Sequence, residues 1–150
     1  MPAGATPPGT PPTPARAVAT RHVVAATDEI PPGGRKLVAI GGRDILVFNL
    51  AGEFFAIANR CPHNGGSLCA GRTTGLVQSS EPGRYHYSRQ GEIIRCPWHN
   101  WEFDIRTGRS VIDPRRIKVR AFPAEVASGA ALQAETFPVQ VEGEYVVVEA

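Results

Sequence analysis

Two short stretches of this chain hold metal-binding residue types at matched spacing: Cys61-Pro62-His63 and Cys96-Pro97-Trp98-His99. A thiolate is a soft donor and a neutral imidazole a borderline one, and both suit iron or zinc better than magnesium or calcium. Each loop offers one of each, so together they supply two sulfurs and two nitrogens. Such a set serves a two-iron two-sulfur cluster ligated by two cysteines and two histidines. It also serves a structural zinc ion, which takes four Cys and His ligands tetrahedrally and would make the chain a zinc-stabilised interaction module. Zinc fingers usually pair C-x-x-C with H-x-x-x-H, whereas both halves here are mixed and each places Pro directly after its Cys, which favours the cluster. Pro62 and Pro97 fix φ beside each cysteine, and Gly65-Gly66 lets backbone N–H groups come close to sulfur.

The elements that must carry these loops read as strands. Short β-branched and aromatic runs recur between Gly, Pro, Asn and Asp, and no apolar stripe is long enough for a helix. Strands are expected over 22–26, 36–40, 44–49 and 54–59, with hairpin turns at Gly41-Gly42 and Ala51-Gly52. Between the loops, 84–89 and 92–95 flank Gln90-Gly91, which reads as a further hairpin delivering Cys96 from a strand end. Beyond them, 101–104 and 110–112 flank Thr107-Gly108, then come 117–122, an Ala/Ser/Gly-rich interval around 127–131, and a closing hairpin of 138–141 with 145–148.

The 150 residues allow one domain with a modest core. Six of fourteen prolines fall within the first fourteen residues, so 1–20 reads as a disordered Pro-rich tail and 21–150 as the folded domain. No apolar run reaches the length of a membrane span, and no secretory signal stands at the N-terminus, so no membrane partner and a cytoplasmic location are expected. If Cys61 and Cys96 bind metal, only Cys69 is left, and no intramolecular disulfide can form; reducing conditions suit such a chain. Net charge is +2, too small to argue for nucleic acid. Its distribution is uneven: residues 84–120 hold nine Lys or Arg against four acids, while 121–150 hold five acids and no base.

The string Cys61-Pro62-His63-Asn64-Gly65-Gly66-Ser67-Leu68-Cys69 resembles the first cluster loop of Rieske ferredoxins and of the Rieske domain of ring-hydroxylating oxygenases. Cys96-Pro97-Trp98-His99-Asn100-Trp101-Glu102-Phe103-Asp104, followed by Thr107-Gly108, is similar to their second loop. The resemblance covers about residues 20–150. It implies an all-β fold of the Rieske type, an antiparallel sandwich or barrel with a small cluster-binding subdomain over about 60–112. It implies a Rieske-type 2Fe-2S cluster with Cys61 and Cys96 on the inner iron and His63 and His99 on the outer, partly exposed one. The function implied is one-electron transfer by a ferredoxin rather than catalysis. The sequence holds no two-His-one-carboxylate iron motif and no flavin or nicotinamide fingerprint, so a separate reductase and a terminal oxygenase are the expected partners. A Rieske-like small subunit of a larger redox enzyme, such as an NADH-dependent nitrite reductase, is the alternative.

The chain also departs from its high-potential relatives. The Rieske proteins of cytochrome bc complexes place a disulfide cysteine where Trp98 stands, and a Ser and a Tyr that hydrogen-bond cluster sulfurs where Trp101 and Phe103 stand. Fewer hydrogen bonds to the cluster disfavour the reduced state, so the expected potential lies at the low end of the Rieske range, near about −150 mV. The 32 residues between His63 and Cys96 exceed the usual ferredoxin spacing and enlarge the region around 72–92. Asn100 stands where the family commonly has Gly; Asn tolerates a left-handed φ, so the loop keeps its shape. Cys69 reads as a small buried filler. Trp98 and Trp101 either shield the cluster or form a partner contact. Arg106, Arg109, Arg115, Arg116, Lys118 and Arg120 form either a docking face for an acidic partner or a solvated surface. Asp113-Pro114 is expected to form a third loop that covers the cluster.

Overall fold

A computed structural model of the chain describes residues 20–150. The expected Pro-rich tail lies outside these residues except for Thr20, whose backbone pairs with Ala150. The strands are β1 (Arg21–Ala26), β2 (Arg35–Ile40), β3 (Arg43–Leu50), β4 (Glu53–Ala58), β5 (Arg72–Glu81), β6 (Arg84–Arg95), β7 (Glu102–Asp104), β8 (Ala121–Phe122), β9 (Ala124–Ser128) and β10 (Glu144–Glu149). One helix, α1 (Gly129–Ala134), follows β9. Its N-terminus is capped by Ser128, whose Oγ accepts from the Ala131 N–H at 3.2 Å.

The strands form three antiparallel sheets, ordered β1-β10-β9, β2-β3-β4-β8 and β5-β6-β7. β3 explains how they stack. Side chains alternate along a strand, and both faces of Ile45–Phe48 are apolar, so both must be covered. Ile45 and Val47 pack with Phe54, Phe122, Val146 and Val148; Leu46, Phe48 and Leu50 pack with Ile57, Leu68, Ile94, Phe103 and Ile105. The four-stranded sheet is therefore the middle layer, with the β1-β10-β9 sheet on one side and the β5-β6-β7 sheet, which carries the Cys96 loop, on the other. The Gly41-Gly42 and Ala51-Gly52 turns form as the sequence suggests, all four residues having positive φ.

Four expected elements take another form; of 117–122 only Ala121–Phe122 is a strand, with an isolated bridge at Lys118. Gln90-Gly91 is no hairpin turn: β6 runs unbroken through it, and the chain reverses instead at Pro82-Gly83, so the segment before Cys96 is one long β5–β6 hairpin. Between the pairs Thr74↔Ile93 and Leu76↔Ser88 the ladder holds only Gly75 on β5 but residues 89–92 on β6, a bulge. Arg89 and Gly91 adopt φ of 50° and 80°, and the Arg89 guanidinium fixes the bulge on Asp104 at 2.8 Å and Glu92 at 3.3 Å. Residues 110–112 make only an isolated bridge, because the Ser110 hydroxyl accepts from the N–H groups of Ile112 and Asp113 and turns the chain away. The closing hairpin over 138–141 does not form. β10 already has β1 on one edge and β9 on the other, so no ladder position is left for it.

Candidate metal centre

Both loops spring from strand ends whose buried residues anchor them. The first follows β4 and is pinned at its base by Asn59, a buried polar residue. Its Nδ2 donates to Ser67 Oγ at 3.0 Å and its Oδ1 accepts from the Cys69 N–H at 2.6 Å, so one side chain ties together the two ends of the loop. Within it, Gly65 N–H reaches Cys61 O at 2.8 Å and Cys61 N–H reaches Gly66 O at 2.9 Å, a tight turn around the first Cys and His. The second loop hangs between β6 and β7, closed by a 2.7 Å bond from Cys96 N–H to Trp101 O. His99 and Asn100 both sit in the left-handed region, at φ of 68° and 58°. Both belong to the residue types that enter this region more readily than most, and two in succession there give the loop its sharp turn.

The loops bring the four residues into two pairs. Cys61 and Cys96 are 1% and 0% exposed and neighbour each other in the core that holds Phe48 and Phe103. Burial pushes the Cys61 thiol above its ordinary value; backbone N–H groups of His63 and Asn64 oppose this, while the adjacent Cys96 adds to it. His63 and His99 are exposed, their rings edge to face with centroids 4.9 Å apart. The indole of Trp101 stacks on His63 at 4.1 Å and 8°. Asn64 Nδ2 lies 3.4 Å from His99 Nδ1.

The donor set fits a two-iron cluster. Cys61 and Cys96 stand as a buried thiol pair, and His63 and His99 as an exposed imidazole pair, which matches two irons ligated differently. Gly66 closes the loops against each other: a Cβ there would meet Cys96 Sγ at 2.9 Å and the Trp98 ring at 3.3 Å, so a side chain has no room.

Other sequence expectations find their places. Trp101 is half-buried and packs against the core as well as on His63, whereas Trp98 is 54% exposed; the first orients and shields, the second faces solvent. Cys69 is partly buried against the same core. Pro114 edges a recess with Leu76, Gln78 and Arg109 beside the long hairpin. Arg106 leaves the basic set, being bound to Glu92 at 2.6 Å and Glu53 at 2.8 Å. Sequence reasoning missed Asn59 and the Trp101 stack. A polar residue ending an apolar strand just before a ligand loop is a signal for the first; the second depends on where the two loops meet.

An antiparallel β protein with two Cys- and His-bearing loops, one leading from the middle sheet to the edge sheet and one within the edge sheet, is the class that this fold defines. The Rieske [2Fe-2S] domain model matches residues 20–123. The ferredoxin component of the p-cumate 2,3-dioxygenase system of Pseudomonas putida is 32% identical over 105 residues, 69% of this chain and 76% of that protein. The biphenyl dioxygenase ferredoxin subunit of Pseudomonas sp. strain KKS102 is 28% identical over 101 residues, 67% of this chain and 79% of its own. Among solved structures, Sphingomonas yanoikuyae B1 ferredoxin superposes with a TM-score of 0.58 at 22% identity, over 87% of this chain and 99% of that one. The ferredoxin of carbazole 1,9a-dioxygenase from Nocardioides aromaticivorans IC177 gives 0.54 at 23%, over 85% and 97%. The chain belongs to the Rieske [2Fe-2S] domain family, and its cofactor is a Rieske-type 2Fe-2S cluster. No helix among the described residues is long and apolar enough to cross a membrane.

Proposed function

We propose that this chain is a low-potential one-electron carrier, a Rieske ferredoxin that takes electrons from a reductase and passes them to a terminal oxygenase. Cys61 and Cys96 hold one iron and His63 and His99 the other. The observation that carries this reading is the pairing itself, two thiols buried together in the core and two imidazoles side by side at the surface. Bound there, the cluster supplies a one-electron carrier of the kind this ligation makes. The protein's part is to keep water from the thiolate side with Phe48, Leu68, Ile94 and Phe103, to hold the His63 ring with Trp101, and to leave the imidazole side open to a partner. That relatives are ferredoxin components of dioxygenase systems supports the same partners here.

Residues 21–150 form one domain in this reading, with a cluster-binding subdomain over about 60–112. In support, the core around Cys61 and Cys96 continues into β3 through Leu46 and Phe48. A cytoplasmic location is part of the proposal, supported by the three free cysteines. Anaerobic optical and EPR spectra test it. A brown protein, bleached by dithionite and showing a Rieske-type EPR signal in the reduced state, is expected; a colourless, EPR-silent protein binding one zinc overturns it. Loss of the EPR signal on Cys96→Ser and on His99→Ala, with the fold retained by circular dichroism, tests the ligands.

A further inference from the structure

The surface beside the two loops is edged by arginines, and their partners are uneven. Away from the loops, Arg21, Arg89 and Arg106 are each bound to two carboxylates. Beside the first loop, a recess of about 600 Å³ is bounded by Arg43 and Arg60, with Gly65 and Ser67 of the loop in its wall and Asp44 its one acid. Arg60 lies against the loop itself, its Nε 3.1 Å from where a Gly65 Cβ would stand. Beside the second, a recess of about 220 Å³ is bounded by Arg72 and Arg95, with Cys96, Pro97 and Asn100 in its wall and no acid.

Arg72 and Arg95 stand directly opposite each other across the β5–β6 ladder. Like charges so placed repel. Glu102, opposite Arg95 on β7, pairs with Arg95 at 3.4 Å, which relieves only one of the two. Among the described residues Arg43, Arg60 and Arg72 form no ion pair, and neither do Arg109, Arg115, Arg116 and Arg120; what sets the first three apart is that they line the recesses walled by the two loops, Arg43 also lying over the Phe122 ring at 5.9 Å. Beside each loop thus stands a guanidinium that no carboxylate pairs, Arg43 and Arg60 at the first and Arg72 at the second. Guanidinium takes a carboxylate through two parallel N–H bonds, which gives such a surface orientation as well as charge.

We propose that Arg43, Arg60 and Arg72 form a docking surface for an acidic face of a redox partner protein, steering it onto the edge that bears His63 and His99. This rests on the carrier reading above. It places the docking charge beside the loops, and not on the basic segment that includes Arg115 and Arg116.

Charge at the electron-donating edge is read by small oxidants of opposite sign. The reduced holoprotein gives one electron to ferricyanide, forming ferrocyanide, or one to hexaammineruthenium(III), forming the ruthenium(II) ion. The ratio of the two stopped-flow rates cancels any change in driving force. At low salt that ratio should fall by about tenfold or more in the Arg43→Glu/Arg72→Glu variant and stay within about twofold of the parent in Arg115→Glu/Arg116→Glu. Poly-L-glutamate, standing in for an acidic protein face, should slow the ferricyanide reaction of the parent and not of the first variant. Equal ratios in parent and first variant, or an equal fall in both variants, overturn the docking surface while a brown, EPR-active protein leaves the carrier reading intact. A colourless protein overturns the carrier reading, and this proposal with it.

Discussion

Trp101 and Phe103 bear on the potential expected of the cluster. Phe103 is wholly buried and Trp101 lies flat on His63, so neither position offers a hydroxyl to a cluster sulfur. Hydrogen bonds to sulfur are among the levers that raise a cluster potential, and two that high-potential relatives use are missing here. A midpoint near about −150 mV is expected by spectroelectrochemical titration, and a value above roughly +100 mV would contradict the assignment. That Cys61, Cys96, His63 and His99 would come together was legible in the sequence, because two short loops with matched chemistry leave few alternatives. The ring on His63 was not: indole and imidazole are separated by 38 positions and meet only because Cys96 N–H closes on Trp101 O.

Among the elements, the first loop and the long hairpin lean on single residues. Asn59 alone ties the base of the loop to its far end. Asn59→Ala leaves the Cys69 N–H and Ser67 hydroxyl without their partner and should cost about 1–3 kcal/mol in urea unfolding, with faster loss of visible colour to a chelator. An unchanged rate of colour loss would show that the loop is held elsewhere. At the bulge, Glu92 is held below the ordinary carboxylate value by Arg106 first and Arg89 next. A carboxyl depressed in the folded state stabilises above its unfolded value and loses that contribution as pH falls through the lower, folded one. Arg106→Ala should therefore destabilise the protein modestly at pH 7, by about 0.5 kcal/mol, and by less at pH 3. Denaturant midpoints of both proteins at the two pH values check this; an equal difference at both assigns the effect to lost packing on Phe55, over which Arg106 lies at 5.0 Å. Gln90-Gly91 read as a turn because Gly with a polar neighbour is the usual turn chemistry. The same chemistry also makes a bulge, and only the ladder between β5 and β6 distinguishes them.

Across the whole molecule, β3 joins what would otherwise be separate layers. Phe48 is 1% exposed and shares a core with both cysteines. Phe48→Ala should cost about 3–5 kcal/mol and make loss of colour coincide with loss of far-UV ellipticity, since the cluster cradle and the middle sheet share that side chain. Two well-separated transitions would show that the cluster-bearing sheet unfolds on its own.

The sequence by itself determined the Cys/His character of the two loops, the β character and most strand positions of the middle sheet, because those depend on residue type and on spacing within a few positions. It also marked Asn100 as a residue that accepts the left-handed backbone its loop requires. Tertiary structure alone decided what 138–141 becomes, since a strand forms only where a neighbouring edge is free, and β10 has none. It decided too that Arg106 is neutralised while Arg72 is not: a charge's partner is set by which strands lie side by side, and Glu53, Glu92 and Glu102 reach their arginines across folds of the chain that no local pattern records.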